Sequence, residues 1–139
     1  MKTIDVSIII VSFNTKNLTL DAIRSVEKTV KKNTYEIIVV DNNSSDQSVE
    51  EIEELHKEIS GLTLVKNKEN VGFSRANNIG VNKSHGRYVL FLNSDTIVYE
   101  KTIDGMIKFM DENPDCGAST GFLRLPNGDL DEASHRGFP

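Results

Sequence analysis

A chain of 139 residues can bury one ordinary core, and nothing in it resembles a linker, so a single domain over 1–139 is expected. Its 16 basic and 21 acidic residues, a net charge of -5, lack the basic excess that broad nucleic-acid binding requires, and carboxylates gathered near phosphates would need a cation between them. The single cysteine, Cys116, excludes an internal disulfide framework and fits a reducing compartment, which makes the cytoplasm the default location.

In chain order, four short apolar runs each break off into a polar cluster. The start Met1-Lys2-Thr3 leads into Ile8-Ile9-Ile10-Val11, a strand too short for a secretory h-region, which ends in Ser12-Phe13-Asn14. Leu18, Ala22, Ile23, Val26 and Val30 then recur at helical spacing, with Asn17 placed as N-cap. Ile37-Ile38-Val39-Val40 gives way to Asp41-Asn42-Asn43-Ser44-Ser45-Asp46, and Asp46 can cap a helix with the apolar face Val49, Ile52, Leu55 and Ile59 before Gly61 stops it. Leu62-Thr63-Leu64-Val65 runs into Lys66-Asn67-Lys68-Glu69-Asn70, after which Ser74 opens a weaker helix carrying Ala76, Ile79 and Val81. Val89-Leu90-Phe91-Leu92 reads as a fourth buried strand, ending in Asn93-Ser94-Asp95-Thr96. Ile103, Met106, Ile107 and Met110 mark a last helix, closed by Asn113-Pro114. A run from Cys116 to Leu125 meets the turn signal Pro126-Asn127-Gly128-Asp129, which predicts a hairpin.

Strands alternating with helices of this length predict an α/β fold, a mainly parallel sheet with helices on both faces and a Rossmann-like nucleotide-binding half. All four polar clusters then share one sheet edge, and open α/β sheets bind ligands outside the carboxyl ends of their strands. No segment approaches the ~20 apolar residues that cross a bilayer.

Each candidate site residue has a structural reading beside its functional one. Asp41 and Asn42 could simply open an Asx-rich turn leading to Asp46, yet a carboxylate at the first position out of a strand can also accept hydrogen bonds from a nucleobase or ribose. Asn93-Ser94-Asp95 could likewise be a turn, but Thr96 or a residue near Glu100 is available for capping, which leaves Asp95 free. One carboxylate with phosphate oxygens and waters is how Mg2+ is usually held. In Asn70-Val71-Gly72-Phe73-Ser74-Arg75, Gly72 permits close backbone approach, Ser74 exposes helix N-terminal amides to an anion and Arg75 adds forked donors. His56, His85 and His135 are scattered without metal-ligand spacing and read as surface residues, and Cys116 reads as core. Walker A and Gly-X-Gly-X-X-Gly patterns are absent, which removes P-loop and dinucleotide readings. The first polar cluster has neither the glycines of a nucleotidyltransferase loop nor the carboxylate of a phosphoacceptor receiver.

Val11-Ser12-Phe13-Asn14, Val40 through Asp46, Asn70-Val71-Gly72-Phe73 continuing through Ala76-Asn77-Asn78-Ile79-Gly80, and Leu92-Asn93-Ser94-Asp95-Thr96 follow in the order seen in family 2 glycosyltransferases. The chain resembles the bacterial rhamnosyltransferase-like branch, and the tail from Pro114 to Pro139 is similar to it as well. The resemblance implies a GT-A fold that takes a nucleotide-diphosphate sugar through Val11, Ser12, Phe13, Asp41, Asn43, Gly72, Arg75, Asn93 and Ser94. Asn93-Ser94-Asp95 stands in the place of the family's Asp-X-Asp motif with the first Asp replaced, so Asp95 is the expected ligand of Mg2+ or Mn2+. The implied chemistry is inverting transfer to a hydroxyl of a saccharide or lipid-linked saccharide, in bacterial cell-surface polysaccharide synthesis. The inner face of the membrane is where such an acceptor would be met by a peripherally associated full-length protein. The general base of such enzymes lies well beyond the metal motif, so it is expected after residue 139, and Asp129, Asp131 and Glu132 do not match its motif. The chain is therefore expected to be the N-terminal donor-binding part, with little sugar transfer on its own. The alternative is a non-catalytic nucleotide-sugar-binding or assembly module.

Overall fold

The computed structural model describes residues 3–132. Strands and helices alternate throughout: β1 (Ile4–Ser12), α1 (Lys16–Thr29), β2 (Tyr35–Asp41), α2 (Ser48–Glu58), β3 (Leu62–Lys66), α3 (Phe73–Val81), β4 (Gly86–Phe91) and α4 (Thr102–Glu112). Every strand pair is parallel and the order across the sheet is β3-β2-β1-β4. The chain thus steps outward from β1 to β3 and then returns to the far side of β1. With right-handed crossovers, that reversal sends the connecting helix to the opposite face. Helices α1, α2 and α4 accordingly pack on one face over Ile8, Ile10, Ile37 and Val39, while α3 covers Ile38 and Val40 on the other with Ala76 and Ile79.

The expected common edge is present. Ser12 is in register with Asp41, and Asp41 with Lys66. On the other side Leu92 N donates to Ile9 O at 2.9 Å, which carries Asn93 out beside the tip of β1.

Five expectations need correcting. Asn17 is not the cap of α1: the helix begins at Lys16, Thr15 holds the cap position without its side chain capping a helix amide, and the Lys16 amide donates instead to Asp46 Oδ2 at 2.9 Å. Leu18 is exposed and Thr19 takes its place on the buried face. The fourth apolar run is only half buried, because α3 lies over β1 and β2 and stops short of β4; Val89 and Phe91, on that face, are 38% and 55% exposed. A groove of about 600 Å3 follows this edge, lined by Leu90, Phe91, Tyr99, Ile103, Met106 and Phe122 among others. The hairpin after α4 shrinks to a tight turn, closed by Leu125 N to Asp129 O at 2.8 Å, and a lone antiparallel bridge between Arg124 and Leu130. Cys116 is half-buried, not core. His135 and the motif from Ser134 to Pro139 lie outside the described residues.

Asp104, in the first turn of α4, ties that helix to the α1–β2 loop. Its carboxylate accepts from the Asn33 side chain at 2.8 Å and from the backbone amides of Lys31, Lys32 and Asn33. Burial pushes this carboxyl up, but those hydrogen bonds outweigh it and leave the group below its ordinary value. A folded value below the unfolded one means stability that is present above the unfolded carboxylate value, about 4, and lost as pH falls from there through the lowered folded value. A melting series from pH 6 to about pH 3 should therefore show a shallower acid-side loss in Asp104→Asn than in the wild type, with a lower melting temperature at pH 6.

Candidate active site

The reversal of strand order opens a crevice between the tips of β1 and β4, the switch point at which such sheets bind ligands. A cleft of about 310 Å3 lies there, lined by Val11, Phe13, Thr15, Asn42, Asn70, Phe73, Asn93, Ser94 and Asp95. Three separate tips and the start of α3 thus converge.

Of the residues singled out from sequence, Val11, Phe13, Asn93, Ser94 and Asp95 line this cleft. Asp95 is exposed and makes no hydrogen bond or ion pair with any described residue, and it is the only acidic side chain in the lining. Phe13 is 45% and Phe73 58% exposed, which leaves aromatic surface open at the walls.

The other expected residues do not line it: Ser12 and Asp41 are buried behind it, and Asn43, Gly72 and Arg75 are exposed outside the lining. Ser12 is fully buried, and its hydroxyl lies 3.1 Å from Thr19 Oγ1 under the cleft. Asp41 is 1% exposed and takes the turn role: Oδ2 accepts from Ser44 N at 2.9 Å and Oδ1 from Ser44 Oγ at 2.6 Å. Asn43 continues that turn with φ of 68°, a left-handed conformation that asparagine tolerates better than most residues. Gly72 has φ of 84°, and Asn70 Oδ1 accepts its amide at 2.9 Å; no atom would crowd a side chain there, so backbone conformation is what requires glycine. The turn delivers α3 with its first residues Phe73, Ser74 and Arg75 exposed and no side-chain cap. Helix N-termini of this kind attract anions.

Sequence reasoning missed Thr15, Asn42, Asn70 and Phe73 as lining residues. The signal was present for three of them, since Asn42, Asn70 and Phe73 sit inside motifs whose neighbours were chosen instead. Thr15 gave none, because a threonine before a helix reads as a cap. Its hydroxyl instead lies 3.4 Å from Ser94 Oγ, across the crevice.

The loops after β1 and β2 are stitched together. Asn14, with φ of 53°, donates its amide to Ser44 Oγ at 2.9 Å, and its Oδ1 accepts from Ser45 N at 2.8 Å. Asp46 serves both helices, accepting from Lys16 N on α1 and from Ser48 N at 3.1 Å on α2. Burial raises its carboxyl, but the bonds from Ser48 and Lys16 leave it lowered overall. Among the described residues no group of three His, Cys, Asp or Glu side chains could enclose a metal ion. A cation here would have to take most of its ligands from a bound molecule and water, a donor set that suits Mg2+ or Mn2+ with a diphosphate.

The all-parallel α/β sheet with helices on both faces is the fold of GT-A glycosyltransferase domains, and solved relatives share it. The chain belongs to the family described as glycosyl transferase family 2, which matches residues 7–136. An uncharacterised glycosyltransferase of Rickettsia felis is 33% identical over 96% of the chain, which spans 22% of that relative. The poly(ribitol-phosphate) β-N-acetylglucosaminyltransferase TarP of Staphylococcus aureus is 33% identical over 78% of the chain and 33% of its own length. The crystal structure of S. aureus TarS 1-349 superposes with a TM-score of 0.72 at 25% identity, covering 80% of this chain and 33% of that one. The same protein solved with UDP-GlcNAc shares the fold at a TM-score of 0.72 and 21% identity, over 90% of this chain and 42% of that one.

Proposed function

We propose that this stretch binds the nucleoside-diphosphate sugar of an inverting glycosyltransferase, with the acceptor a hydroxyl of a cell-surface saccharide or polyol phosphate. The observation that carries the reading is an exposed carboxylate, Asp95, without a partner among the described residues, in a cleft at the strand-order switch. Phe13 and Phe73 would flank the nucleoside, and the α3 start with Arg75 would attract the phosphates. A divalent cation between Asp95 and the diphosphate would offset charge on the leaving group. Asp41 would act at one remove, through the turn it holds.

With Asp95 engaged by metal, no lining carboxylate is left to deprotonate an acceptor, and Asp129, Asp131 and Glu132 do not line the cleft. That favours a donor-binding role for these residues, with the base supplied from outside this cleft. It also sustains a second reading, a nucleotide-sugar-binding module without transfer activity.

A thermal-shift screen of UDP-, dTDP- and GDP-sugars with and without Mn2+ tests both. A ligand at about 100 times its Kd stabilises the native state by about 2.7 kcal/mol, a rise of several degrees. The UDP-sugar with Mn2+ is expected to give the largest rise; a larger one with a dTDP-sugar would favour the rhamnosyltransferase-like branch. No rise with any of them would end the donor-binding reading.

A further inference from the structure

We infer that Ser44, which does not line the cleft, is a positioning residue that sets the cleft's width by locking the loop after β1 to the loop after β2. The inference rests on the donor-binding reading above.

Ser44 Oγ does two jobs at once. It donates to Asp41 Oδ1 at 2.6 Å and accepts from Asn14 N at 2.9 Å, while Ser44 N donates to Asp41 Oδ2 at 2.9 Å. A hydroxyl has one proton to give and lone pairs to receive, so both bonds are satisfied by one group. The carboxylate end is fixed, because Asp41 is 1% exposed at the end of a central strand and in register with Ser12. The other end is the residue between Phe13 and Thr15, both of which line the cleft. Whatever holds Asn14 therefore places both of them.

Asn14 and Asn43 both adopt left-handed backbone, φ 53° and 68°, on the two sides of this junction. Such conformations persist where surrounding bonds over-determine them, and here those bonds run through Ser44 and Ser45. A second tie, Asp46 with Lys16 N and Ser48, lies farther along the same loops and reaches the cleft lining only at Thr15, next to Lys16, leaving Phe13 to the Ser44 tie. The two ties are thus separable. Asp46 bears on the helices and Ser44 on the wall of the cleft.

The test is titration of UDP, with and without Mn2+, at a temperature where melting curves show every variant folded. Ser44→Ala is expected to weaken UDP about tenfold, as the loss of one or two ordinary hydrogen bonds would. Ser44→Thr, which keeps the hydroxyl, should restore affinity to within about twofold. Asn14→Gly, which keeps the left-handed backbone but loses the amide oxygen, should fall between them. In all three the factor by which Mn2+ tightens UDP should stay at the wild-type value, because Asp95 is untouched. Asp46→Ala should lower the melting temperature and weaken UDP less than Ser44→Ala does. Ser44→Ala with wild-type affinity, or Thr failing to rescue while Asp46→Ala weakens UDP equally, would overturn the role of Ser44. Wild-type protein that does not bind UDP with Mn2+, or any other nucleotide of the screen, would overturn the donor-binding reading itself.

Discussion

Gly86→Ala is expected to destabilise the protein by about 3 kcal/mol or more, a large share of the ~5–15 kcal/mol that holds a domain together. Gly86 opens β4 where that strand meets the backbone of β1. A methyl built on it would fall against Ser7 N, 2.7 Å from Val6 C and 2.7 Å from Ser7 Oγ. Ser7 N and Val6 C are main-chain atoms of a central strand, which no rotamer change can move aside. The same place is a knot of hydrogen bonds: Ser7 Oγ donates to Glu36 Oε1 at 2.6 Å and accepts from Gly86 N at 2.8 Å, and Glu36 Oε1 also accepts from His85 N at 2.7 Å. Separating β4 from β1 would cost the buried Ser7 hydroxyl the bonds it accepts from Gly86 N and His85 N. Gly105, in α4, is the control. Nothing lies within 4 Å of a side chain built there, so Gly105→Ala should stabilise by about 0.5–1 kcal/mol through helix propensity. Urea unfolding of the two variants should move in opposite directions.

The second large effect is functional. Mn2+ is expected to tighten UDP by about 10- to 100-fold, within the usual range of coupling between two ligands, and Asp95→Asn should abolish most of that gain. One protein carboxylate cannot strip a divalent ion of its water, so free Mn2+ should bind weakly and the diphosphate should supply the remaining charge. By linkage UDP must tighten Mn2+ by the same factor. Asp95 is exposed and has no partner among the described residues, so the substitution should leave the melting temperature unchanged. Calorimetric titration of UDP with Mn2+, with chelator and with the variant checks this; identical affinities in all three would leave Asp95 a turn residue.

Much of this arrangement was legible in the chain. Four apolar runs with helical patterns between them require parallel strands, and parallel strands put Ser12, Asp41, Lys66 and Asn93 at one edge. The strand order was less accessible, because β4 could follow β3 or return to β1, and only the return creates the switch point beside Asp95. The exposure of Val89 and Phe91 could not be read either: Val89-Leu90-Phe91-Leu92 is apolar on both faces, and coverage depends on how far α3 reaches. Asp41 shows a different limit. Its place after a strand marks it as important, but whether its carboxylate meets a ligand or Ser44 is decided by a loop conformation with Asn14 and Asn43 left-handed. The cap of α1 by Asp46 belongs to the same class, a contact between loops 30 residues apart that no local signal encodes.

Mn2+ broadening of backbone amide NMR signals, recorded with UDP present, tests most directly whether the strand-tip cleft is the nucleotide site. The expected result is broadening centred on Asn93 to Thr96 that reaches Phe13 and Phe73, and that disappears in Asp95→Asn. Broadening centred instead on the acidic face of α2 from Glu50 to Glu58, with residues 93–96 unaffected, would contradict it.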